Sequence, residues 1–269
     1  MDKLKKLNDS LKPSPRMPVI FVGHGNPMNA IEDNSFTRNW NKIGNGLPEA
    51  QAIVVISAHW LTRGTHITDA PKQEIIYDFY GFPEELYNVK FEANGDPKIA
   101  NILKDHLIKY EAALDSTWGL DHGTWSVLKH FDQNPKIPVL QISLDIESSL
   151  ERVVETFSQL KSLRERGVIF IGSGNIVHNL GMVEFGGKPQ DWALKYDDKI
   201  KYVISNKDMK SLIDPFKIDY TGKFAIPTDD HYRPMLAAMS LLFKDESINY
   251  FNEEIDLGSV GMRSFTTEI

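Results

Sequence analysis

The sequence predicts a single α/β domain with a mainly parallel or mixed central sheet flanked by helices on both faces. Four short, continuous apolar runs rich in β-branched residues recur along the chain, the pattern of strands buried on both faces. Between them lie segments whose apolar residues repeat at three and four, long enough to be helices crossing from one strand to the next. No internal repeat or low-complexity linker divides the 269 residues, and a chain of this length with 41 % hydrophobic residues can bury a sizeable core.

Residues 1–16 are set apart as an N-terminal arm and 17–269 as the domain proper. Leu4, Leu7 and Leu11 share one face of a short helix, and Pro13 and Pro15 stop it. The first strand is the run at 19–22, ending at Gly23, and the second is 52–56, ending at Ser57. Proline and glycine punctuate 62–93, which reads as an antiparallel extension or a loop serving an active site. Asp96-Pro97 has the form of an N-cap followed by proline at the first helical position. It leads into Ile99, Ile102, Leu103, Leu107 and Tyr110 on one face. The third strand, 139–142, follows Pro138. Leu150, Val153, Val154, Phe157, Leu160 and Leu163 then form the clearest amphipathic helix, and Gly167 reverses the chain into the fourth strand at 168–171. Two more helices run through Trp192, Tyr196, Ile200 and Val203, and from Pro234 through Met235, Leu236, Met239 and Leu242.

Charge and composition exclude several functions. Thirty basic against 37 acidic residues give a formal charge of −7, which argues against a nucleic-acid binder. There is no cysteine, so disulfides, thiolate nucleophiles and Cys-based zinc or iron–sulfur sites are ruled out. The basic start of the chain lacks an apolar signal core, and the longest apolar run, around 52–58, is too short to span a bilayer. The expectation is a cytoplasmic protein with no membrane partner. Self-association into a homo-oligomer stays open.

The eight histidines fall into two groups. His66, His106 and His130 sit inside periodic segments and read as structural. The other five occupy Gly-, Ser- or Pro-rich contexts. Three follow strands, as Gly23-His24-Gly25, Ser57-Ala58-His59-Trp60 and Gly174-Asn175-Ile176-Val177-His178, on the edge of an open parallel sheet where ligands bind. His122 lies in Asp121-His122-Gly123-Thr124-Trp125, and His231 in Asp229-Asp230-His231-Tyr232-Arg233-Pro234. Such a set points to a metal or proton-transfer site assembled by the fold, and imidazole alone does not distinguish zinc, iron, copper or nickel. Gly23-His24-Gly25 lacks the rest of a dinucleotide fingerprint, and Gly172-Ser173-Gly174 lacks the spacing of a nucleophile elbow. Both glycine pairs read instead as places where backbone passes close to a ligand or a histidine turns inward.

The blocks FVGHGNPMNAIE, VVISAHW, LDHGTWSVL, IGSGNIVHNL and PTDDHYRPML, in that order, resemble the class III extradiol ring-cleaving dioxygenases, in the 4,5-DOPA extradiol branch. The resemblance implies that 17–269 is a catalytic domain of that type. It implies one divalent metal per chain, with Fe(II) expected for activity and Zn(II) able to bind. His24, His59 and His231 correspond to metal ligands, His178 to a fourth ligand or the active-site base, and His122 to a second acid/base group lining the oxygen and substrate pocket. Asp230 and Asp121 are expected to orient imidazoles. The substrates implied are a small DOPA-like catechol and O2, and the product a muconic semialdehyde. Arg233 reads first as a solvated surface residue and second as a partner for a substrate carboxylate. Trp60, Trp118, Trp125 and Tyr232 read as core before they read as stacking platforms. Two alternatives stay open: a zinc hydrolase using the same histidines, and a non-catalytic relative.

Overall fold

Alternate residues of the strand Val19–Gly23 (β1) enter two separate cores, Val19 and Phe21 on one face of the sheet and Ile20 and Val22 on the other. The computed structural model describes residues 11–133 and 135–268. The central sheet adds Ala52–Ser57 (β2), Val139–Gln141 (β3), Val168–Gly174 (β4), Asn249–Phe251 (β5) and Ser264–Thr266 (β6). Its order is β5-β6-β1-β4-β2-β3. The four strands expected from the apolar runs are mutually parallel, with Val19 opposite Phe170, Val168 opposite Ala52 and Ile53 opposite Val139. The last two strands add an antiparallel edge, so the sheet is mixed.

Helices cover both faces. Ser35–Gly46 (α1) and His122–Phe131 (α3) bury Phe36, Trp40, Trp125, Leu128 and Phe131 against one side. Pro97–His106 (α2), Leu150–Ser158 (α4), Asp191–Ser205 (α5) and Arg233–Ser240 (α6) pack on the other. Asp96 caps α2 as its sequence predicts, accepting from the backbone N–H groups of Lys98 and Ile99 at 2.7 and 3.2 Å. Two expected helices end early. Leu107 and Tyr110 lie beyond α2, and α4 gives way to a tighter 3-10 stretch, Lys161–Arg166, through i to i+3 bonds such as Leu163 N to Leu160 O. Gly167 then turns the chain with φ of 75°, which only glycine adopts without strain. The largely polar segment that forms α1 spaces its few apolar residues, Phe36, Trp40 and Ile43, at helical intervals and turns them into one core. It is started by a capping box between Asn34 and Thr37.

Leu4 and Leu7 lie outside the described residues. Leu11 is buried in the core beneath α4, and the backbone of Ser14 and Met17 bonds to Glu165 and Arg164. In the 62–93 segment the antiparallel pairing is a separate two-stranded sheet and not an extension of the central one. Lys72–Gln73 pairs antiparallel with Ala93–Asn94, and the loop between them crosses to the carboxyl edge of the main sheet. No helix among the described residues is long and apolar enough to cross a membrane.

Candidate metal and catalytic site

The parallel strands deliver their histidines to one edge. His24 directly follows β1, His59 lies two residues beyond β2, and His178 lies four beyond β4. His122 opens α3, capped by Asp121, and His231 stands in the turn just before α6. A Cβ at Gly174 would lie 2.3 Å from the His231 carbonyl oxygen, and one at Gly172 would lie 2.4 Å from that of Pro234. These glycines therefore admit the protein's own backbone at the entry to α6, and Gly23 does the same for Met262. This close approach explains how His231 reaches the strand ends, while Gly25 lies in the wall of the histidine-lined cavity.

All five histidines line one cavity of about 260 Å3. One ring nitrogen from each of His24, His59 and His231 lies within 4.8 Å of those of the other two. The Nε2 atoms of His24 and His59 are 3.1 Å apart. The outer nitrogens fix the tautomers. Ser173 Oγ donates its proton to the Gly123 carbonyl at 2.5 Å, so at 2.9 Å from His24 Nδ1 it can only accept. His24 thus carries its proton on Nδ1. His59 Nδ1 faces the Asp78 carboxylate at 3.5 Å, and His231 Nδ1 is in close contact with Asp230. Each ring then presents an unprotonated Nε2. Two lone pairs facing one another at 3.1 Å repel unless a cation lies between them, and about 3 Å is the spacing of two nitrogens each about 2.0–2.1 Å from one ion. The donor set fits a divalent metal.

Electrostatics reinforce this. Burial first, and the neighbouring imidazoles next, hold His24 and His59 well below the ordinary histidine value, so both stay neutral. His178 does not join the His24–His59–His231 group. It stacks on His231 with ring centroids 3.5 Å apart and shares a cluster with His231 and Asp230. Burial, then His231, lower it to about 3, while the Asp230 carboxylate opposes the shift. His122 packs on His59 at 3.9 Å between centroids. Asp78 binds it twice, Oδ1 accepting from the backbone N–H at 2.8 Å and Oδ2 from Nδ1 at 2.9 Å.

Asp78 was not legible as a site residue, although Tyr77-Asp78-Phe79-Tyr80-Gly81-Phe82, an acid among aromatics inside the flagged loop, is the signal that could have found it. Ser173, behind His24, sits inside a strand and carries no such signal. Asp230 contacts an imidazole as expected. Asp121 does not: it accepts from Ser57 Oγ, Gln141 Nε2 and the Thr124 N–H, and burial followed by the nearby Asp78 charge pushes it up to about 6. Arg233 is neither solvated nor facing the cavity. It is 6 % exposed, clamps Asp229 through Nε and Nη2 at 2.8 and 3.0 Å, and donates from Nη1 to the Asp145 carbonyl. Trp60, Trp125 and Tyr232 are buried in the core, and Trp118 is half-buried: Trp60 stacks on Trp118, Trp125 donates to the Ile76 carbonyl and Tyr232 to that of Leu212.

Residues 17–258 match the family described as the catalytic LigB subunit of aromatic ring-opening dioxygenase. A protein of Escherichia coli K12 named 4,5-DOPA dioxygenase extradiol is 38 % identical over 96 % of this chain and 97 % of its own length. One of the same name from Beta vulgaris is 31 % identical over 93 % and 96 %. The crystal structure of an uncharacterized E. coli K12 protein superposes with a TM-score of 0.81 at 35 % identity, covering 94 % of this chain and all of that one.

Proposed function

The chain belongs to the class III extradiol ring-cleaving dioxygenases of the LigB family, and from that premise we propose that it opens the ring of a DOPA-like catechol with O2 to give a muconic semialdehyde. His24, His59 and His231 are assigned as the ligands of one divalent ion, Fe(II) in the active enzyme, with Zn(II) able to take the same nitrogens. The observation that carries this is the pair of unprotonated Nε2 atoms 3.1 Å apart. Held by these three imidazoles, Fe(II) would supply the redox chemistry that couples oxidation of a catecholate to reduction of O2.

The remaining steps fall to the chain's own side chains. Three neutral imidazoles leave a divalent charge uncompensated, so the site favours the anionic catecholate over the neutral diol. His178, outside the ligand group and neutral, is assigned as the base that accepts a catechol proton. Asp230 stabilises the charge that then develops on it. His122 has its Nδ1 proton committed to Asp78, which leaves Nε2 to accept and return a proton beside the opening ring. The apolar wall of the cavity limits the water that reaches the reacting atoms.

The test is oxygen uptake by protein stripped of metal and reloaded anaerobically with Fe(II), given DOPA, caffeate, protocatechuate and the uncharged 4-methylcatechol. The expected result is stoichiometric uptake with a yellow semialdehyde product. No uptake across the panel with iron confirmed in the protein would overturn the reading and return the weight to the zinc-hydrolase alternative.

A further inference from the structure

Apart from its histidines, the wall of the cavity is apolar. Phe82, Leu180, Val183, Phe185, Leu257 and Val260 line it, and no lysine, arginine, aspartate or glutamate does among the described residues. Asn26, the one other polar side chain there, accepts from Met28 N–H at 2.9 Å and offers a substrate a single neutral amide. Arg233, the guanidinium adjacent to the histidine motif, is committed to Asp229 and Asp145. The carboxylates of Asp78 and Asp230, directly behind the imidazoles, add negative charge on that side. A carboxylate or zwitterion on the substrate would lose water here without an ionic partner, at a cost one amide does not offset. Leu180 and Phe185 are 67 % and 85 % exposed although both line the cavity, so a large apolar surface stands open at its mouth.

We infer that the catechol this site selects carries an uncharged alkyl or aryl substituent, and that Leu180 and Phe185 determine that preference. The inference rests on the ring-opening function proposed above. It keeps the ring of DOPA and replaces its charged side chain.

Equilibrium binding to the Zn(II)-loaded protein separates affinity from turnover. Calorimetric titrations with 4-methylcatechol, 4-butylcatechol, DOPA and protocatechuate are expected to show at least tenfold tighter binding of 4-butylcatechol than of either charged catechol. Affinity should rise up to about fourfold for each methylene buried. Leu180→Ser and Phe185→Ser, both at exposed positions that leave the core intact, should erase most of the gain from methyl to butyl while leaving 4-methylcatechol binding within about twofold. Oxygen uptake by the Fe(II)-loaded enzyme should rank the four compounds in the same order. DOPA or protocatechuate binding as tightly as 4-butylcatechol would overturn the inference, and their turnover would leave the ring-opening function standing. Failure of every catechol to bind the metal-loaded protein would overturn both.

Discussion

Asp78 grips His122 at two points, accepting from its backbone N–H at 2.8 Å and from its Nδ1 at 2.9 Å, and the same Oδ2 lies 3.5 Å from His59 Nδ1. One carboxylate therefore aligns a metal-ligand candidate and an acid/base candidate together. In Asp78→Asn the amide oxygen can still accept from the His122 backbone N–H, but the amide N–H then faces His122 Nδ1 and favours the opposite tautomer of that ring. Turnover should fall on the order of 10²–10⁴-fold, the range lost when an imidazole is held in the wrong tautomer. Steady-state kinetics with metal content measured alongside check this, and unchanged kcat would remove Asp78 from the mechanism.

Ser173 holds His24 from behind by accepting from Nδ1. Ser173→Ala deletes that acceptor and leaves the ligand set intact. Loss of such an orienting contact lowers metal affinity about 10–100-fold. Competition with a chromophoric chelator measures it directly. At saturating metal, kcat should recover to within a few-fold of wild type, unlike in Asp78→Asn.

The two substitutions also mark what the sequence could and could not disclose. The runs at 19–22, 52–56 and 168–171 end in His24, His59 and the loop to His178, so strand periodicity alone places three imidazoles on one edge. His122 and His231 stand out through their turn contexts and through family likeness. Asp78 reaches the site by the path of an irregular loop, which has no periodicity to read. Arg233 beside His231 looked exposed because its salt bridge to Asp229 needs the first turn of α6, and its contact with Asp145 spans 88 residues of chain. Strands β5 and β6 leave as little trace in the sequence: each has three residues and acquires its β character only by pairing, β6 with β1 and β5 with β6.

Arg164 links distant parts of the fold. It is fully buried, binds Glu246 through both terminal nitrogens, and donates to the carbonyls of Met17 and Leu241. Removing one partner of a buried pair leaves the other charge unmatched, so Arg164→Met alone, or Glu246→Leu alone, should cost about 3–5 kcal/mol of stability. Arg164→Met combined with Glu246→Leu should recover most of that loss, because the unpaired charge disappears with its partner. Urea denaturation of the four proteins closes the double-mutant cycle, and equal destabilisation in the single and double variants would refute it.

His130, outside the cavity, gives a pH dependence of known sign. Its Nε2 donates to the Asn29 carbonyl at 2.7 Å, and Nδ1 lies 3.4 Å from the Asn41 side-chain amide nitrogen, which can donate to it only while the ring is neutral. Burial, as the main cause, lowers its pKa below the ordinary value of 6.5. The neutral form is thus favoured by folding: the contribution is complete above pH 6.5 and declines as pH falls below it toward the depressed folded value, because the unfolded chain takes up the proton first. The buried site histidines of the metal-free protein act in the same direction, so the test is a difference. His130→Gln retains an N–H for Asn29 and does not titrate. Between pH 7 and pH 5, metal-free wild type should lose more stability than metal-free His130→Gln, as read from thermal midpoints on the same buffer series. Equal slopes would show that His130 is solvated enough to protonate without opposing the fold.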